Sequence, residues 1–95
     1  MRQTQEEQFQ QSRSLKHAGR IEEAVAAYRR LLKINPAHAP ARNNLALILR
    51  DRGSLAEAIS ELRRIVRERP DVAVYRNNLG LTLQDAGLLQ ESSRQ

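Results

Sequence analysis

The chain has 95 residues, a formal net charge of +5 and no cysteine, which excludes disulfides, cysteine-ligated metals and thiol chemistry. Hydrophobic residues make up 40% of it but aromatics only 3%, so the core of this one small domain, residues 1–95, must be aliphatic. No apolar run approaches the roughly 20 residues of a membrane span, and the opening Met1-Arg2-Gln3-Thr4 lacks the apolar stretch of a secretory leader, so a soluble cytoplasmic chain is the expectation.

Thr4 followed by Glu7 reads as a capping box that opens a first helix near residue 5, running to a turn at Gly19 with thin apolar content. A second helix spans about Ile21 to Ile34, with Ala24, Val25, Tyr28, Leu31 and Leu32 on one face, and Asn35-Pro36 stops it. Pro40 suits the first turn of a third helix, whose buried stripe is Leu45, Ala46, Ile48 and Leu49, up to Gly53. Ser54 with Glu57 forms a second capping box for a fourth helix that turns Ala58, Ile59, Leu62, Ile65 and Val66 inward until Pro70. Asp71 is the expected N-cap of a fifth helix, with Leu79, Gly80 and Leu83 facing in and Gly87 closing it. The stretch from Leu88 to Gln95 is too short for a stable helix, so a sixth segment should be partial and frayed.

These elements repeat. Gly19, Gly53 and Gly87 recur at one constant interval, and the same interval separates Ala24 from Ala58 (then Ser92), Pro36 from Pro70, and the tetrad Arg42-Asn43-Asn44-Leu45 from Arg76-Asn77-Asn78-Leu79. A period in the thirties marks helix pairs that cannot bury their apolar faces singly, hence an all-α solenoid of antiparallel helix pairs: repeat 1 at 5–38, repeat 2 at 39–72 and an incomplete repeat 3 at 73–95. From about residue 5 to 95 the pattern closely resembles the tetratricopeptide repeat. The matches are Gly19, Ala24, Tyr28 and Pro36, then Leu45, Ala46, Gly53, Ala58, Leu62 and Pro70, then Leu79, Gly80 and Gly87. The resemblance implies a right-handed superhelical segment of about two and a half repeats whose work is holding a protein partner. Ala24, Ala58, Ala46 and Gly80 are the small residues expected where helices cross closely. Three departures stand out: Gln8, Arg42 and Arg76 replace the family's early large residue, Leu15, Leu49 and Leu83 stand where tyrosine is usual, and Gln11-Ser12 makes the first helix degenerate.

In such repeats the first helix of each unit lines the concave groove. Helical spacing then selects Phe9, Gln10 and Arg13 in the first, Asn43, Asn44 and Leu47 in the second, and Asn77, Asn78 and Leu81 in the third. Asn44 and Asn78 form an expected ladder, and a carboxamide, donor and acceptor at once, can grip peptide backbone without reading side chains. Similar ladders occur in the tetratricopeptide arrays that precede some glycosyltransferases; the alternative is that these asparagines satisfy neighbouring backbone or face water. The clamp that holds chaperone C-terminal carboxylates does not fit, because its places hold Phe9, Arg13, Asn44, Val74 and Asn78, of which only Asn44 matches. His17 and His38 have no companion at metal-ligand spacing and read as surface imidazoles, and adjacent Glu22 and Glu23 do not converge on one site. No phosphate loop or nucleophile triad is visible, so no catalytic residue, metal or cofactor is expected.

Two further readings stay open. The C-terminal edge Leu79, Leu83, Leu88 and Leu89 lacks a covering helix and could join a second copy or the rest of a longer array. The basic set Arg29, Arg30, Lys33, Arg63, Arg64 and Arg67 recurs at the same period and could face nucleic acid or an acidic surface. Against that last reading, acidic residues sit early and basic residues late in their helices, as the helix dipole favours, Glu61 stands at pairing distance from Arg64, and few aromatics exist for bases to stack on.

Overall fold

The computed structural model describes the backbone of residues 3–93 and the side chains of residues 3–87, and over them the chain has five helices and no strand. These are α1 (Gln5–His17), α2 (Ile21–Ile34), α3 (Ala39–Asp51), α4 (Leu55–Glu68) and α5 (Ala73–Ser93). Packing divides the chain into two compact units, Met1–Leu45 and Ala46–Gln95, with the division inside α3. In the first unit α1 packs against α2; in the second α4 packs against α5.

The first unit buries Ala24, Val25, Ala27, Tyr28, Leu31 and Leu32 of α2, the inward face expected from their spacing. The second buries Ile48, Leu49, Ala58, Leu62 and Ile65, with Ile59 and Val66 half-buried. Leu31 and Leu62 are fully buried, and burial of such a side chain contributes about 1.5–3 kcal/mol. Ser12, expected to weaken α1, is instead fully buried at the position that Ala46 fills one period later. Its hydroxyl donates to the Gln8 carbonyl at 2.8 Å, which removes the penalty of burying a polar group and lets serine serve as the small residue there.

Two turns reverse the chain by the same device. Gly19 and Gly53 have φ of 80° and 81°, a region that costs other residues a clash between Cβ and carbonyl oxygen. In each, the residue after the glycine donates back across five residues, Arg20 N–H to Leu15 O at 2.9 Å and Ser54 N–H to Leu49 O at 2.8 Å, and the glycine N–H bonds to Lys16 O or Arg50 O at 3.0 Å. This pairing satisfies carbonyls that a helix end leaves open.

Gly87 does not repeat it. No positive φ occurs there, and α5 continues through to Ser93, so neither the expected closure at Gly87 nor a separate sixth segment forms. Extending an existing helix adds a hydrogen bond for each residue fixed, whereas a new helix must first be nucleated at a cost. Gly80 lies exposed and a Cβ in its place would meet nothing within 4 Å, so among the described residues it is not at the close helix crossing expected from the pattern.

The corners between repeats also share one construction. Asn35 and Arg69, each before a proline, leave the helical region at φ −136° and −134° and end α2 and α4. His38 N–H then bonds to Asn35 O at 3.1 Å and Val72 N–H to Arg69 O at 3.3 Å. Arg42 Nη2 donates to Pro36 O at 2.9 Å, and Arg76 Nη1 makes the equivalent bond to Pro70 O. The arginines that replace the family's early large residue thus fasten the proline corner behind them.

Helix starts depart from expectation in two places. Thr4 caps α1 as expected, its Oγ1 accepting from Glu7 N–H at 3.1 Å and donating to Glu7 Oε1. Ser54 precedes α4 but makes no side-chain cap bond, so the second capping box does not form. Val72, not Asp71, occupies the cap position of α5, which begins at Ala73. Thr4, His38 and Val72 hold equivalent places in successive periods; the first two cap through side chains and valine cannot.

Two stability measurements test this account. Gly53→Ala should lower unfolding free energy by about 1–2 kcal/mol because alanine resists the positive φ, while Gly87→Ala, inside a helix and with open space around it, should raise it by up to about 1 kcal/mol. Urea titrations giving the same sign for both would refute the distinction. Val72→Thr should supply the missing N-cap of α5 and add about 1 kcal/mol; no gain in urea midpoint would show that another group already caps that end.

Candidate functional site

In the first unit a polar and aromatic cluster forms around Tyr28, whose ring is fully buried. Phe9 of α1 lies 6.3 Å from it at 58°, and the His38 ring lies 5.1 Å from Phe9 at 46°. Arg13, one turn along α1 from Phe9, holds its guanidinium carbon 5.8 Å from the Phe9 centroid, a cation–π contact. Asn44 Nδ2 donates to Tyr28 Oη at 3.3 Å. Three sequence-selected residues, Phe9, Arg13 and Asn44, therefore meet around one phenol that sequence reasoning assigned only to the core.

Gln10 is engaged elsewhere, donating to Glu6 Oε1 at 2.9 Å on exposed α1. Asn43 is buried, whereas its neighbour Asn44 is half-buried and within reach of a ligand. In the second unit Leu47 and Asn78 are half-buried, while Asn77 and Leu81 are exposed. The counterpart of Tyr28 there, one period on, is Leu62, which offers no hydrogen bond, so the phenol that steadies Asn44 has no equivalent beside Asn78. Thr82, fully buried, donates Oγ1 to the Asn78 carbonyl at 2.7 Å and settles that stretch of backbone instead.

His38 is a structural group, not the surface imidazole that its isolation in the sequence suggests. Its Nδ1 accepts the Ala41 N–H at 3.1 Å and so caps α3 at the helix's third residue. The signal that could have found it is its register with Thr4, one period earlier. His17 remains exposed at the end of α1.

The basic residues are distributed on both units. Arg29, Arg30 and Lys33 are exposed on α2, Arg63 and Arg67 on α4, and half-buried Arg64 donates Nε to Glu68 Oε1 at 3.0 Å rather than to Glu61. Of the expected C-terminal edge, Leu79 is half-buried and Leu83 is exposed, while the side chains of Leu88 and Leu89 lie outside the described residues. Among the described residues no three His, Asp or Glu side chains gather at metal-binding range, and no helix is long and apolar enough to cross a membrane.

The helix pairs, glycine turns and proline corners recur with the spacing of a known repeat, and the family model described as tetratricopeptide repeat matches residues 9–73, more than half of the chain. The chain belongs to the tetratricopeptide repeat family. No curated protein matches it in sequence. Tetratricopeptide repeats generally serve as protein-interaction modules and are typically non-catalytic. Within this tetratricopeptide chain, the Tyr28 cluster is the place where sequence-selected side chains meet.

Burial pushes the Tyr28 phenol above its ordinary 10.0, and the hydrogen bond from Asn44 and the charge of Arg13 offset part of that rise. Below pH 10 folded and unfolded chains both hold the proton. As pH rises further the unfolded chain ionises first, so stability is lost until the buried phenol ionises too. Tyr28→Phe should therefore flatten the alkaline loss in urea midpoints measured from neutral pH to about pH 11, at a neutral-pH cost of about 0.5–1.5 kcal/mol for the hydrogen bond. Parallel curves for the two proteins would remove Tyr28 from the alkaline transition.

Proposed function

We propose that the chain is a non-catalytic interaction module that holds an extended peptide segment of a protein partner on the first helices of its repeats. Each unit offers a grip of its own: Asn44 with Phe9, Gln10 and Arg13 in the first, and Asn77, Asn78, Leu47 and Leu81 in the second. Buried Asn43 supports its neighbours rather than touching the ligand. The observation that carries this reading is the state of Asn44: one amide hydrogen is spent on Tyr28, and its Oδ1 and second N–H have no partner among the described residues. A carboxamide fixed by one bond and open at two others is arranged to accept and donate to the same peptide unit of a strand. Beside it, the Phe9 face gives such a strand apolar contact, and Arg13 gives it a charge that favours acidic segments.

The test uses a random linear peptide library displayed on phage, selected against the intact chain. Wild type should enrich extended peptides with little side-chain consensus, and Asn44→Ala with Asn78→Ala should weaken their binding roughly 10-fold, the loss of one or two hydrogen bonds, at unchanged helical circular dichroism. Equal binding by wild type and the double variant would place the site elsewhere on the molecule.

A further inference from the structure

The start of α3 hangs on an imidazole. His38 Nδ1 accepts the Ala41 N–H at 3.1 Å, and a ring nitrogen can accept only while it carries no proton. Thr4, one period earlier, makes the equivalent cap with a hydroxyl, and Val72, one period later, has no polar side chain to make one. Of these three places only that of His38 holds a side chain that can gain a charge, and imidazole exchanges its proton between about pH 5 and 8.

The surroundings offer an imidazolium little compensation. α1, α2 and α4 each carry glutamate in the first turn, at the positive end of the helix dipole, and α3 carries no acidic residue there. The Phe9 ring, 5.1 Å from the His38 ring, already has the Arg13 guanidinium carbon 5.8 Å from its centroid, so a charged His38 would share that ring with a second cation. The α1 carboxylates Glu6 and Glu7 are engaged with Gln10 and Thr4. On α2, Tyr28 keeps its phenol proton throughout this pH range, and exposed Arg29, Arg30 and Lys33 are all positive. On α3, Arg42 bonds through its backbone N–H to the His38 carbonyl at 3.2 Å and through Nη2 to Pro36 O, and it too is a cation.

What the cap holds is the corner between α2 and α3. Asn35 Nδ2 donates to Gln5 Oε1 at 2.9 Å, its Oδ1 accepts the Ala37 N–H at 3.2 Å, and its carbonyl accepts the His38 N–H at 3.1 Å, so the corner is tied to α1 on one side. His38 Nδ1 ties it onward to the first turn of α3. We propose that His38 is a pH switch: at mildly acid pH one proton on Nδ1 turns this acceptor into a donor, expels it from the Ala41 N–H and opens the first turn of α3. The sign is fixed by the geometry, since the cap contributes stability while the ring is neutral and that contribution is lost as pH falls. Asn44 lies in the next turn of α3 and Phe9 packs on the His38 ring, so acid also loosens the first unit's hold on a peptide, a consequence that rests on the peptide-binding reading.

Hydrogen exchange and urea titration of the intact chain test the switch between about pH 8 and about pH 5.5, a range in which carboxylates stay charged. Wild type should lose roughly five-fold of the exchange protection at the Ala41 amide across it, the worth of one N-cap, and its urea midpoint should fall in step. His38→Asn caps with a carboxamide that does not titrate, so both quantities should stay level with pH, whatever the lost Phe9 contact costs at every pH. His17→Gln should respond as wild type does. A peptide selected near pH 8 should bind wild type several-fold more weakly at the acid end, and bind His38→Asn equally at both. Unchanged Ala41 protection in wild type, or a His38→Asn variant that still responds, overturns the switch. Protection and midpoint that respond while peptide binding does not would uphold the switch and count against the peptide-binding reading alone.

Discussion

A backbone angle near +80° at Gly19 and Gly53 is the constraint from which the rest of the structure follows. An ordinary side chain there would crowd the carbonyl, and without the reversal each amphipathic helix would run on with its apolar stripe in water. The reversal needs two things at once: a residue free to adopt the angle, and a following helix that packs back. Gly19 and Gly53 have both, since α2 and α4 each run for 14 residues. At Gly87 the chain stays helical. The glycine permits the turn, but the packing of the following helix causes it.

This separates what was legible in the sequence from what was not. The five helices, the proline stops and the α2 core could be read because each rests on spacing alone: apolar residues three and four apart, or a proline that excludes helix behind it. Capping was harder because several residue types compete within one turn. Asp71 is the better N-cap by type, yet Val72 holds the place because the Arg69 carbonyl takes the Val72 N–H and fixes where the turn ends. His38 escaped for the opposite reason, since imidazole is an uncommon cap and only its register with Thr4 marks it. The roles of Arg42 and Arg76 were visible only as a departure from a pattern, and their bonds to Pro36 and Pro70 explain why that departure recurs.

At the candidate site, spacing supplied direction without chemistry. Periodicity selected Phe9, Arg13 and Asn44, which do gather, but it could not tell that Tyr28 would join them through its hydroxyl. It also treated Asn43 and Asn44 alike, although one side chain is buried and the other half open, because adjacent helical positions differ by about 100° in direction. Repetition of sequence did not guarantee repetition of environment. Asn78 repeats Asn44, but Leu62 does not repeat Tyr28, so the phenol that meets Asn44 has no counterpart in the next period. Ser12 shows the converse: a residue that departs from the pattern does the work of alanine because its hydroxyl is satisfied within its own helix.

The backbone corners have one more property in common. Leu15 with Arg20, His38 with Ala41, and Pro36 with Arg42 are joined across five, three and six residues, so every bend carries its own fastening within a short stretch of chain. A tandem duplication of the coding segment for one period would hand each new cassette a complete set of hinges, whatever lay on either side. Such an array can lengthen or shorten by whole cassettes without a single bend being rebuilt, and selection is left to act on the side chains in between.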